Sequence, residues 1–300
     1  QSNQTGKLQE IIDNNPAKTA IVVGDGVSYE FAQDIIEKVS KEYTLSKEHQ
    51  YIFAGLPSET EHNMSQLYID SGTVVKDKQD REAYLLKQNK DKSIGFIDLE
   101  KVNETSDKEH YLICSYKDPD KLGETYQHKA LKYFDLVAGI FATKIEQLFK
   151  NGYQNVYLVT DHGFVLTGIL DNSDKIEVDF KGNVKISERF IRSENKQKID
   201  TNLLIEKEVV YNNFNYSYFA KRLGPFKSTG VYGFSHGGLS PQETIIPFLK
   251  WSNDNNAQDQ LQVVISNKKD LNDVTGDLFS IVLKASTETS DLFSSERKVM

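Results

Sequence analysis

Four short apolar runs, separated by stretches with helical periodicity, restrict the fold of this 300-residue chain more than any other feature. The runs are residues 20–23, 51–54, 111–114 and 156–159. Because each run is apolar on consecutive residues, it predicts a strand that is covered on both faces. Strands that alternate with helices predict an α/β fold, with a mostly parallel central sheet and helices on both of its faces.

Two stretches between these runs have the pattern of amphipathic helices, residues 28–43 and residues 125–150. In the second stretch, apolar side chains follow each other at spacings of three and four residues, which predicts one buried stripe along a helix. The stripe consists of Leu131, Phe134, Ala138, Phe141, Ile145 and Leu148. We interpret it as core packing.

The pattern changes after His162. Short alternating runs, such as residues 175–180, 184–186, 189–192 and 203–211, predict an antiparallel insertion at about residues 165–230. We therefore predict a main domain over residues 1–250 that contains this insertion. Residues 251–300 hold two further strand-like runs, at 261–266 and 278–283. So short a segment cannot comfortably form its own core, so we expect a small C-terminal β segment that docks on the main domain or is an incomplete domain.

Composition excludes several classes of protein. An apolar fraction of 38% and a charged fraction of 27% are ordinary for a globular protein, and no run approaches the roughly 20 apolar residues of a membrane helix. The single cysteine excludes an intramolecular disulfide, which suits a reducing compartment, and we expect a cytoplasmic protein without membrane partners. A net charge of −8 argues against a broad basic surface for nucleic acids. A phosphate substrate held by metal ions in a local pocket remains compatible with it.

Chemically versatile residues follow the predicted strands at their carboxyl ends, where open α/β sheets bind ligands. Asp161 and His162 follow the apolar run at 155–159, and a carboxylate beside an imidazole offers two metal ligands from one turn. The alternative is a hydrogen-bonded histidine and an aspartate that caps the next helix. Asp25, between two glycines after the first strand, also has two interpretations: a metal ligand, or a turn or helix-capping residue.

Three more turns contribute to the same edge. Ser58 and Thr60 precede a helical pattern, where either hydroxyl could cap the helix or act as a nucleophile at its N-terminus. Asp120 and Glu124 are four residues apart and would share one helix face, so a cation would relieve their repulsion. His236 lies in a glycine-rich turn. Together, hard carboxylates and two imidazoles suit zinc or manganese in a site with two metal ions.

Other polar residues are secondary candidates. His62 could touch a substrate, and His128 is a spare metal ligand four residues after Glu124. The insertion and its flanks carry four basic residues that could clamp a phosphate oxygen, although most such side chains are simply solvated. These are Arg189, Arg192, Lys221 and Arg222.

Five motifs follow each other along the chain: Gly24-Asp25-Gly26, Pro57-Ser58-Glu59-Thr60, Asp120-x-x-Gly123-Glu124, Thr160-Asp161-His162-Gly163-Phe164 and Ser235-His236-Gly237-Gly238-Leu239-Ser240-Pro241-Gln242-Glu243. In this order they resemble the motifs of PglZ-domain proteins, which belong to the alkaline phosphatase superfamily. The resemblance spans residues ~20–250, and its last two motifs are the most specific. The resemblance implies an alkaline phosphatase-like fold.

The resemblance also implies the roles of individual residues at two divalent metal ions, zinc or manganese. One metal would be held by Asp25, Thr60, Asp161 and His162, and the other by Asp120, Glu124 and His236. Thr60, as the second hydroxyl residue of its turn, would be the nucleophile in preference to Ser58, which would touch the substrate. The chain departs from the superfamily pattern at Glu124, where related hydrolases often carry histidine, and a carboxylate there favours manganese.

The function that the resemblance implies is a metal-dependent phosphodiesterase or phosphatase acting on nucleotides or short oligonucleotides. PglZ domains occur in phage-defence and signalling proteins, so protein partners from such a system are expected as well. The alternative is a catalytically weak or inactive regulatory or scaffold module of the same fold that works through protein partners. A sulfatase is disfavoured because Thr60 is neither the cysteine nor the serine that sulfatases mature.

Overall fold

The computed structural model describes residues 4–48, 50–71, 73–106, 108–168, 171–227, 233–253, 262–267 and 282–286. The chain divides into two compact units, Gln1–Asn253 and Asp254–Met300. The domain boundaries predicted from the sequence stay predictions. None of the helices in the described ranges is both long and apolar enough to cross a membrane.

The first unit contains seven α-helices and thirteen strands among its described residues. The helices are α1 Lys7–Asn14, α2 Tyr29–Lys38, α3 Thr60–Tyr68, α4 Lys78–Gln88, α5 Asp118–Tyr126, α6 Leu131–Lys150 and α7 Pro241–Thr244. The strands are β1 Thr19–Gly24, β2 Thr44–Leu45, β3 Tyr51–Phe53, β4 Ile94–Asp98, β5 Tyr111–Tyr116, β6 Asn155–Thr160, β7 Val165–Leu166, β8 Val184–Ile186, β9 Phe190–Ser193, β10 Leu204–Tyr211, β11 Phe214–Ala220, β12 Phe234–Ser235 and β13 Ile245–Ser252.

The central sheet has the order β2-β13-β6-β1-β5-β4, and β3 pairs with β13. Its four neighbouring strands β6, β1, β5 and β4 are parallel, whereas β13 is antiparallel to β6, β2 and β3. The predicted α/β fold is therefore confirmed, as a mixed sheet built around a parallel centre. All six residues of β1 are buried, as the consecutive apolar run predicts for a strand at the middle of the sheet.

Helices cover both faces of this sheet, because successive side chains of a strand point to opposite sides. Ala20 and Val22 of β1 pack with apolar residues of α2 and α6. Ile21 and Val23 pack on the other face with residues of α1, α3 and α4. The sheet thus has a hydrophobic core on each side, and its carboxyl edge remains open for the loops that follow the strands.

Two edge strands differ from the sequence prediction. The run at 51–54 predicts a strand covered on both faces, but Tyr51 is 51% exposed and Phe53 is 41% exposed, since β3 pairs only with the end of β13. The strand β4, Ile94–Asp98, was not predicted. It lies at the sheet edge and is only half-buried, so it lacks the continuous apolar run of the central strands.

The long helix α6 begins later than its pattern suggests. The stretch predicted as one helix from residue 125 is divided, because α5 ends at Tyr126 and a 3₁₀ turn separates it from α6. Leu131, the first residue of α6, is 61% exposed, whereas the other members of the predicted stripe are buried. The stripe is confirmed from Phe134 onward, and it packs on the face of the sheet that α2 also covers.

The predicted antiparallel insertion forms a separate four-stranded sheet of order β10-β11-β9-β8. It has a small core of its own, which includes Ile191, Leu204, Tyr218 and Phe226. The predicted run at 175–180 is not a strand and makes only an isolated bridge between Ile176 and Phe226. Each strand pair in this sheet is antiparallel.

The second unit contains a described pair of antiparallel strands, β14 Gln262–Ile265 and β15 Leu283–Ser286. The run predicted at 261–266 is thus confirmed as a strand at Gln262–Ile265, whereas β15 begins only at Leu283, the last residue of the run predicted at 278–283. Residues 278–281 of the second predicted run lie outside the described residues.

Candidate active site

Parallel pairing aligns the ends of three central strands. Gly24, the last residue of β1, is in register with Thr160 of β6 and with Tyr116 of β5. Asp25 and Asp161 each come directly after these strand ends, so the two carboxylates meet at one edge of the sheet. The backbone N–H of Gly26 donates to Asp161 Oδ1 over 3.1 Å and ties the two turns together.

The first group of possible metal ligands consists of Asp25, Asp161 and His162, whose ligand atoms lie within 4.8 Å of one another. His162 Nε2 is 3.4 Å from Asp161 Oδ2 and 3.8 Å from Asp25 Oδ1. The Thr60 hydroxyl, on the first residue of α3, lies 2.9 Å from His162 Nε2 and 3.4 Å from Asp25 Oδ1. The structure therefore brings together all four residues predicted for the first metal.

The second group consists of Asp120, His162 and His236. Asp120 lies in the first turn of α5, and its backbone N–H donates to the Asp25 carbonyl over 3.2 Å. His236 Nε2 is 3.7 Å from Asp120 Oδ1. The rings of His162 and His236 are stacked, with centroids 4.0 Å apart and planes inclined by 11°. His162 thus belongs to both groups, which are adjacent.

Backbone carbonyls orient both imidazoles. Because a carbonyl only accepts hydrogen bonds, His162 Nδ1 donates to the Gly163 carbonyl over 3.0 Å, and His236 Nδ1 donates to the Ser58 carbonyl over 3.1 Å. In its neutral form, each ring then keeps the lone pair of Nε2 on the side of the carboxylates. Fixing the tautomer by a hydrogen bond at the other nitrogen is characteristic of histidine metal ligands.

Within the two ligand groups, two buried carboxylate oxygens have no hydrogen-bond partner among the described residues: Asp120 Oδ1 and Asp161 Oδ2. An unpaired charged oxygen in a protein interior is costly. Both atoms face the Nε2 atoms described above, at 3.7 and 3.4 Å. Hard oxygens combined with imidazole nitrogens fit zinc or manganese, so the donor set satisfies the requirements of a divalent metal site.

The pKa values of these carboxyls reflect the crowding of negative charge. Burial and the neighbouring Asp161 raise the pKa of Asp25 well above its usual range. Burial, together with Asp25 and Glu124, raises the pKa of Asp120 to about 7. Burial also raises the pKa of Asp161 to about 6. A bound cation would reverse this trend by favouring the ionised carboxylates.

The pKa values of the two histidines are shifted in opposite directions. Burial and the nearby His236 lower the pKa of His162 well below its ordinary value, as suits a neutral ligand. Burial also lowers the pKa of His236, but the Asp120 carboxylate, the Ser58 carbonyl and Glu188 outweigh it and raise that pKa to about 9. His236 therefore compensates negative charge that a metal ion would otherwise neutralise.

Three other candidates lie outside both groups: the predicted ligand Glu124, the spare ligand His128, and His62, which was expected to touch substrate. The Glu124 side chain is exposed on α5, although its charge still raises the pKa of Asp120, and its role as a ligand stays a prediction. His128 is half-buried, and its Nδ1 has no hydrogen-bond partner in the described part of the chain. His62 makes a hydrogen bond of 2.8 Å with Gln66, and burial lowers its pKa.

The arginines predicted to clamp substrate are paired with protein carboxylates. Arg189 Nε and Nη2 donate to Oε1 and Oε2 of Glu243, each over 3.1 Å, and both side chains are buried. Arg192 makes a bidentate pair with Glu59 and lies 3.9 Å from the centre of the Tyr211 ring. Substrate contact by these arginines and by the exposed Arg222 stays a prediction.

These pairs support the loops that carry Thr60 and His236. Glu59 immediately precedes Thr60, so Arg192 holds the start of α3. Glu243 accepts a hydrogen bond of 2.7 Å from the Gly238 N–H, in the loop of His236. Ser58, predicted to touch substrate, is fully buried and donates to the Gly238 carbonyl over 3.0 Å. The contacts of Ser58 favour a positioning role.

Two further residues of the site were missed from the sequence. Gln4 Nε2 donates to the carbonyls of Thr160 and Asp161, and its Oε1 accepts from the Gly55 N–H over 2.8 Å. It thus ties the end of β6 to the loop that leads to α3. Glu188 precedes Arg189 in the insertion; burial, Glu124 and Asp120 raise its pKa to about 7. In the sequence, the only signal for Glu188 was its position next to the basic candidate Arg189.

Gly163 has a steric role behind the metal ligands. A Cβ atom at this position would lie 2.0 Å from the Gln242 carbonyl oxygen, which is closer than side-chain atoms approach backbone. The Gly163 N–H also donates to the Glu243 carbonyl over 3.0 Å. The glycine therefore allows the turn after His162 to pack directly against α7, which begins with a capping box formed by Ser240 and Glu243.

We expect Arg189→Met to lower the free energy of unfolding by about 3–5 kcal/mol, because it leaves the buried Glu243 carboxylate without its cation. Urea denaturation of the purified chain measures this loss. Arg222→Met is the matched control, since Arg222 is exposed and we expect a change within about 0.5 kcal/mol. Equal stability of the two variants would contradict the supporting role of the pair.

Comparison with known families identifies the fold around this site. The matching family model describes the BREX system PglZ alkaline phosphatase-like domain and aligns with residues 5–145 and 120–251. A curated relative, the alkaline phosphatase-like protein PglZ of Bacillus cereus, is 22% identical over 313 residues. That alignment covers 95% of this chain but only 36% of the relative, so the chain spans little more than a third of that protein's length.

Two solved structures have a similar fold. Murine ectonucleotide pyrophosphatase/phosphodiesterase 5, as an inactive threonine-to-alanine variant in complex with AMP, superposes with a TM-score of 0.50 at 11% identity, over 78% of this chain and 87% of that chain. The human protein superposes with a TM-score of 0.51 at 12% identity, over 77% and 87%. Together with the family match, these similarities establish an alkaline phosphatase-like, phosphoesterase fold. The chain therefore belongs to the PglZ family of alkaline phosphatase-like domains.

Proposed function

We propose that this chain is a metal-dependent phosphoesterase of the phosphodiesterase type, with Thr60 as its nucleophile. The observation that carries this proposal is the position of the Thr60 hydroxyl, 2.9 Å from His162 Nε2 and 3.4 Å from Asp25 Oδ1. Asp25, Asp161 and His162 are buried, whereas Thr60 is only half-buried. A substrate can thus reach the hydroxyl while the protein encloses the ligands beneath it.

Two divalent metal ions fit the donor atoms of this edge. Asp25, Asp161 and His162 would hold one ion together with Thr60, and Asp120 and His236 would hold the other, with Glu124 as a further candidate. The orphaned oxygens of Asp120 and Asp161 support this assignment. When bound, such ions supply positive charge that lowers the pKa of the Thr60 hydroxyl and stabilises charge on the phosphoryl oxygens. Zinc or manganese suits these ligands.

The chain's own residues then perform the covalent chemistry in two steps. The Thr60 oxygen forms a bond to phosphorus while the bond between phosphorus and the leaving oxygen breaks, which gives a phosphoryl ester of Thr60 that still carries the second ester group of a diester substrate. Water then cleaves this ester and restores the hydroxyl. The free N–H groups at the start of α3 favour the negative charge of the phosphoryl group beside Thr60.

We further propose that the substrates are nucleotides or short oligonucleotides. The murine structural neighbour is inactive when a threonine is replaced by alanine and binds AMP, which supports both the type of nucleophile and the type of substrate. The matched family is described as part of the BREX system. A role in phage defence or signalling, with protein partners and in the cytoplasm, is consistent with that description.

A second candidate is a regulatory or scaffold module of the same fold. The exposed position of Glu124, outside both ligand groups, favours this alternative because it leaves the second metal with fewer protein ligands. Such a module would act through partners and would need no bound metal.

Hydrolysis of two matched chromogenic esters separates these possibilities. We expect the chain, supplied with zinc or manganese, to release p-nitrophenol from bis-p-nitrophenyl phosphate faster than from p-nitrophenyl phosphate. A preference for the monoester would identify a phosphatase rather than a phosphodiesterase. Inertness toward both esters with either metal would contradict the enzymatic proposal and favour the scaffold.

A further inference from the structure

A cavity of about 320 Å³ opens beside the proposed nucleophile. It lies between α3 and α4 and the ends of β1 and β5, and both Thr60 and Asp25 form part of its wall. A group attached to a phosphate at Thr60 can therefore extend into this cavity. The metal ligands and the proposed reaction do not account for the other residues of its lining.

Four cationic side chains line the cavity: Lys76, Lys78, Arg81 and Lys117. Among the described residues that form its wall, the acidic ones are Asp25, a proposed metal ligand, and Glu61. Glu61 accepts a hydrogen bond from the Tyr211 hydroxyl and pairs with Lys76 at 2.9 Å. Once a metal ion compensates Asp25, the wall therefore has an excess of positive charge, although the chain as a whole has a net charge of −8.

Arg81 is held in place with an unused donor. It is buried, and its Nη1 donates to the carbonyls of Val75 and Lys76. Its Nε is also buried and has no hydrogen-bond partner among the described residues. An oriented guanidinium with a free N–H is well suited to bind a phosphate oxygen.

Lys78 and Lys117 also contribute to the cationic wall. Lys78 donates to the Ser115 hydroxyl over 2.7 Å and lies 3.4 Å from Asp98 and 3.7 Å from Glu82, so its ammonium is held near the end of β5. The positive charge that no described carboxylate pairs is therefore that of Arg81 and Lys117. Lys117 is exposed and makes no ion pair with any described residue. Its charge lowers the pKa of Asp25, which places it within electrostatic reach of the reaction centre.

Apart from Ser115, the rest of the lining is apolar or aromatic and includes Met64, Tyr68 and Tyr116. Such surfaces accommodate a sugar or a base, whereas the cations suit a phosphate. The combination fits a nucleotide that carries its own phosphate better than it fits a neutral ester group.

We propose that this cavity is a subsite for a second phosphate, one nucleotide away from the phosphate that Thr60 attacks. This inference rests on the proposed phosphodiesterase function and specifies its substrate class: di- or oligonucleotides with a phosphate flanking the scissile diester. Simple diesters and unphosphorylated dinucleotides leave the cationic wall unused.

Steady-state hydrolysis of thymidylyl-thymidine and of its 5′- and 3′-phosphorylated forms tests the subsite. We expect one phosphorylated form to be cleaved with a kcat/KM at least about tenfold above that of the unphosphorylated dinucleotide, because its phosphate gains charge-assisted hydrogen bonds. Lys117→Gln is expected to reduce this ratio severalfold. The matched control is Lys132→Gln, an exposed lysine on α6 outside the cavity, which is expected to preserve the ratio.

The outcomes separate the subsite from the proposed function. Hydrolysis of all three dinucleotides at similar rates would overturn the subsite and leave the phosphodiesterase proposal intact. If none of the three is hydrolysed, the phosphodiesterase proposal fails. Equilibrium binding of the same dinucleotides to the metal-loaded chain then tests whether the subsite exists. Binding of a phosphorylated form at least about tenfold more tightly, with the advantage lost in Lys117→Gln, supports the subsite, whereas equal binding overturns it.

Discussion

Thr60→Ala is expected to hydrolyse bis-p-nitrophenyl phosphate at least about 10³-fold more slowly than the wild-type chain, since removing a covalent nucleophile is among the most damaging changes to an enzyme. Folding should be nearly unaffected. Thr60 is half-buried, and the side chain before it makes no capping hydrogen bond to α3 that the substitution could disturb. Initial rates with saturating zinc or manganese, together with a thermal melt, measure both effects.

Thr60→Ser is the control for this substitution, because it retains the hydroxyl and removes only a methyl group. We expect it to keep most of the activity that Thr60→Ala loses. Wild-type rates in Thr60→Ala, with metal content unchanged, would contradict the assignment of Thr60 as nucleophile.

Asp161→Asn is expected to abolish tight metal binding at the first group and to reduce hydrolysis at least about 10²-fold. Replacing a residue that only hydrogen-bonds to a metal ligand typically lowers metal affinity or activity by about 10–100-fold, and replacing the ligand itself should have a larger effect. The substitution is nearly isosteric. The asparagine Oδ1 can keep the hydrogen bonds of 3.1 and 2.9 Å from the Gly26 and His162 N–H groups. Metal content and rates of the two proteins measure the loss.

The stability of the metal-free chain distinguishes loss of the metal from loss of the fold. Asp161→Asn removes one of three crowded buried carboxylates, so we expect its metal-free melting temperature to equal or exceed that of the wild type. Glu124→Gln is the comparison variant, since Glu124 is exposed outside both groups, and we expect it to lose less metal. Wild-type metal content in Asp161→Asn would contradict the first ligand group.

The positions of the candidate ligands could be predicted because they depend on a simple geometric rule. Consecutive apolar residues identify the central strands, parallel strands end at a common edge, and the turn after each strand must lie there. Asp25 and Asp161 follow directly from this rule, since their strands pair in register. His236 comes directly after a two-residue strand outside the main sheet. Its assignment to the second metal therefore depended on the resemblance to the PglZ motifs.

The partners of the arginines could not be predicted, because they depend on packing between segments that are distant in sequence. Arg189 and Glu243 are 54 residues apart, and Arg192 and Glu59 are 133 residues apart. Basic residues in a loop look alike whether they are solvated, bind substrate or support another loop. Their burial is what distinguishes them here.

The cationic cavity could not be predicted from the sequence either. Lys76, Lys78 and Arg81 fall in a polar stretch at the start of α4, and Lys117 precedes α5. Nothing in their spacing connects the two segments. They meet because α4 packs on the face of the sheet that also carries α3, so both flank the opening beside Thr60.

The central claim, a two-metal phosphoesterase centre at the sheet edge, is tested most directly by measuring metal content and diester hydrolysis on the same samples. The purified chain is stripped with a chelator, reloaded with zinc or manganese, dialysed and assayed with bis-p-nitrophenyl phosphate. We predict two bound metal ions per chain and activity that disappears and returns with them. A chain that retains no metal and remains inert after reloading would contradict the claim and assign the fold to binding or regulation.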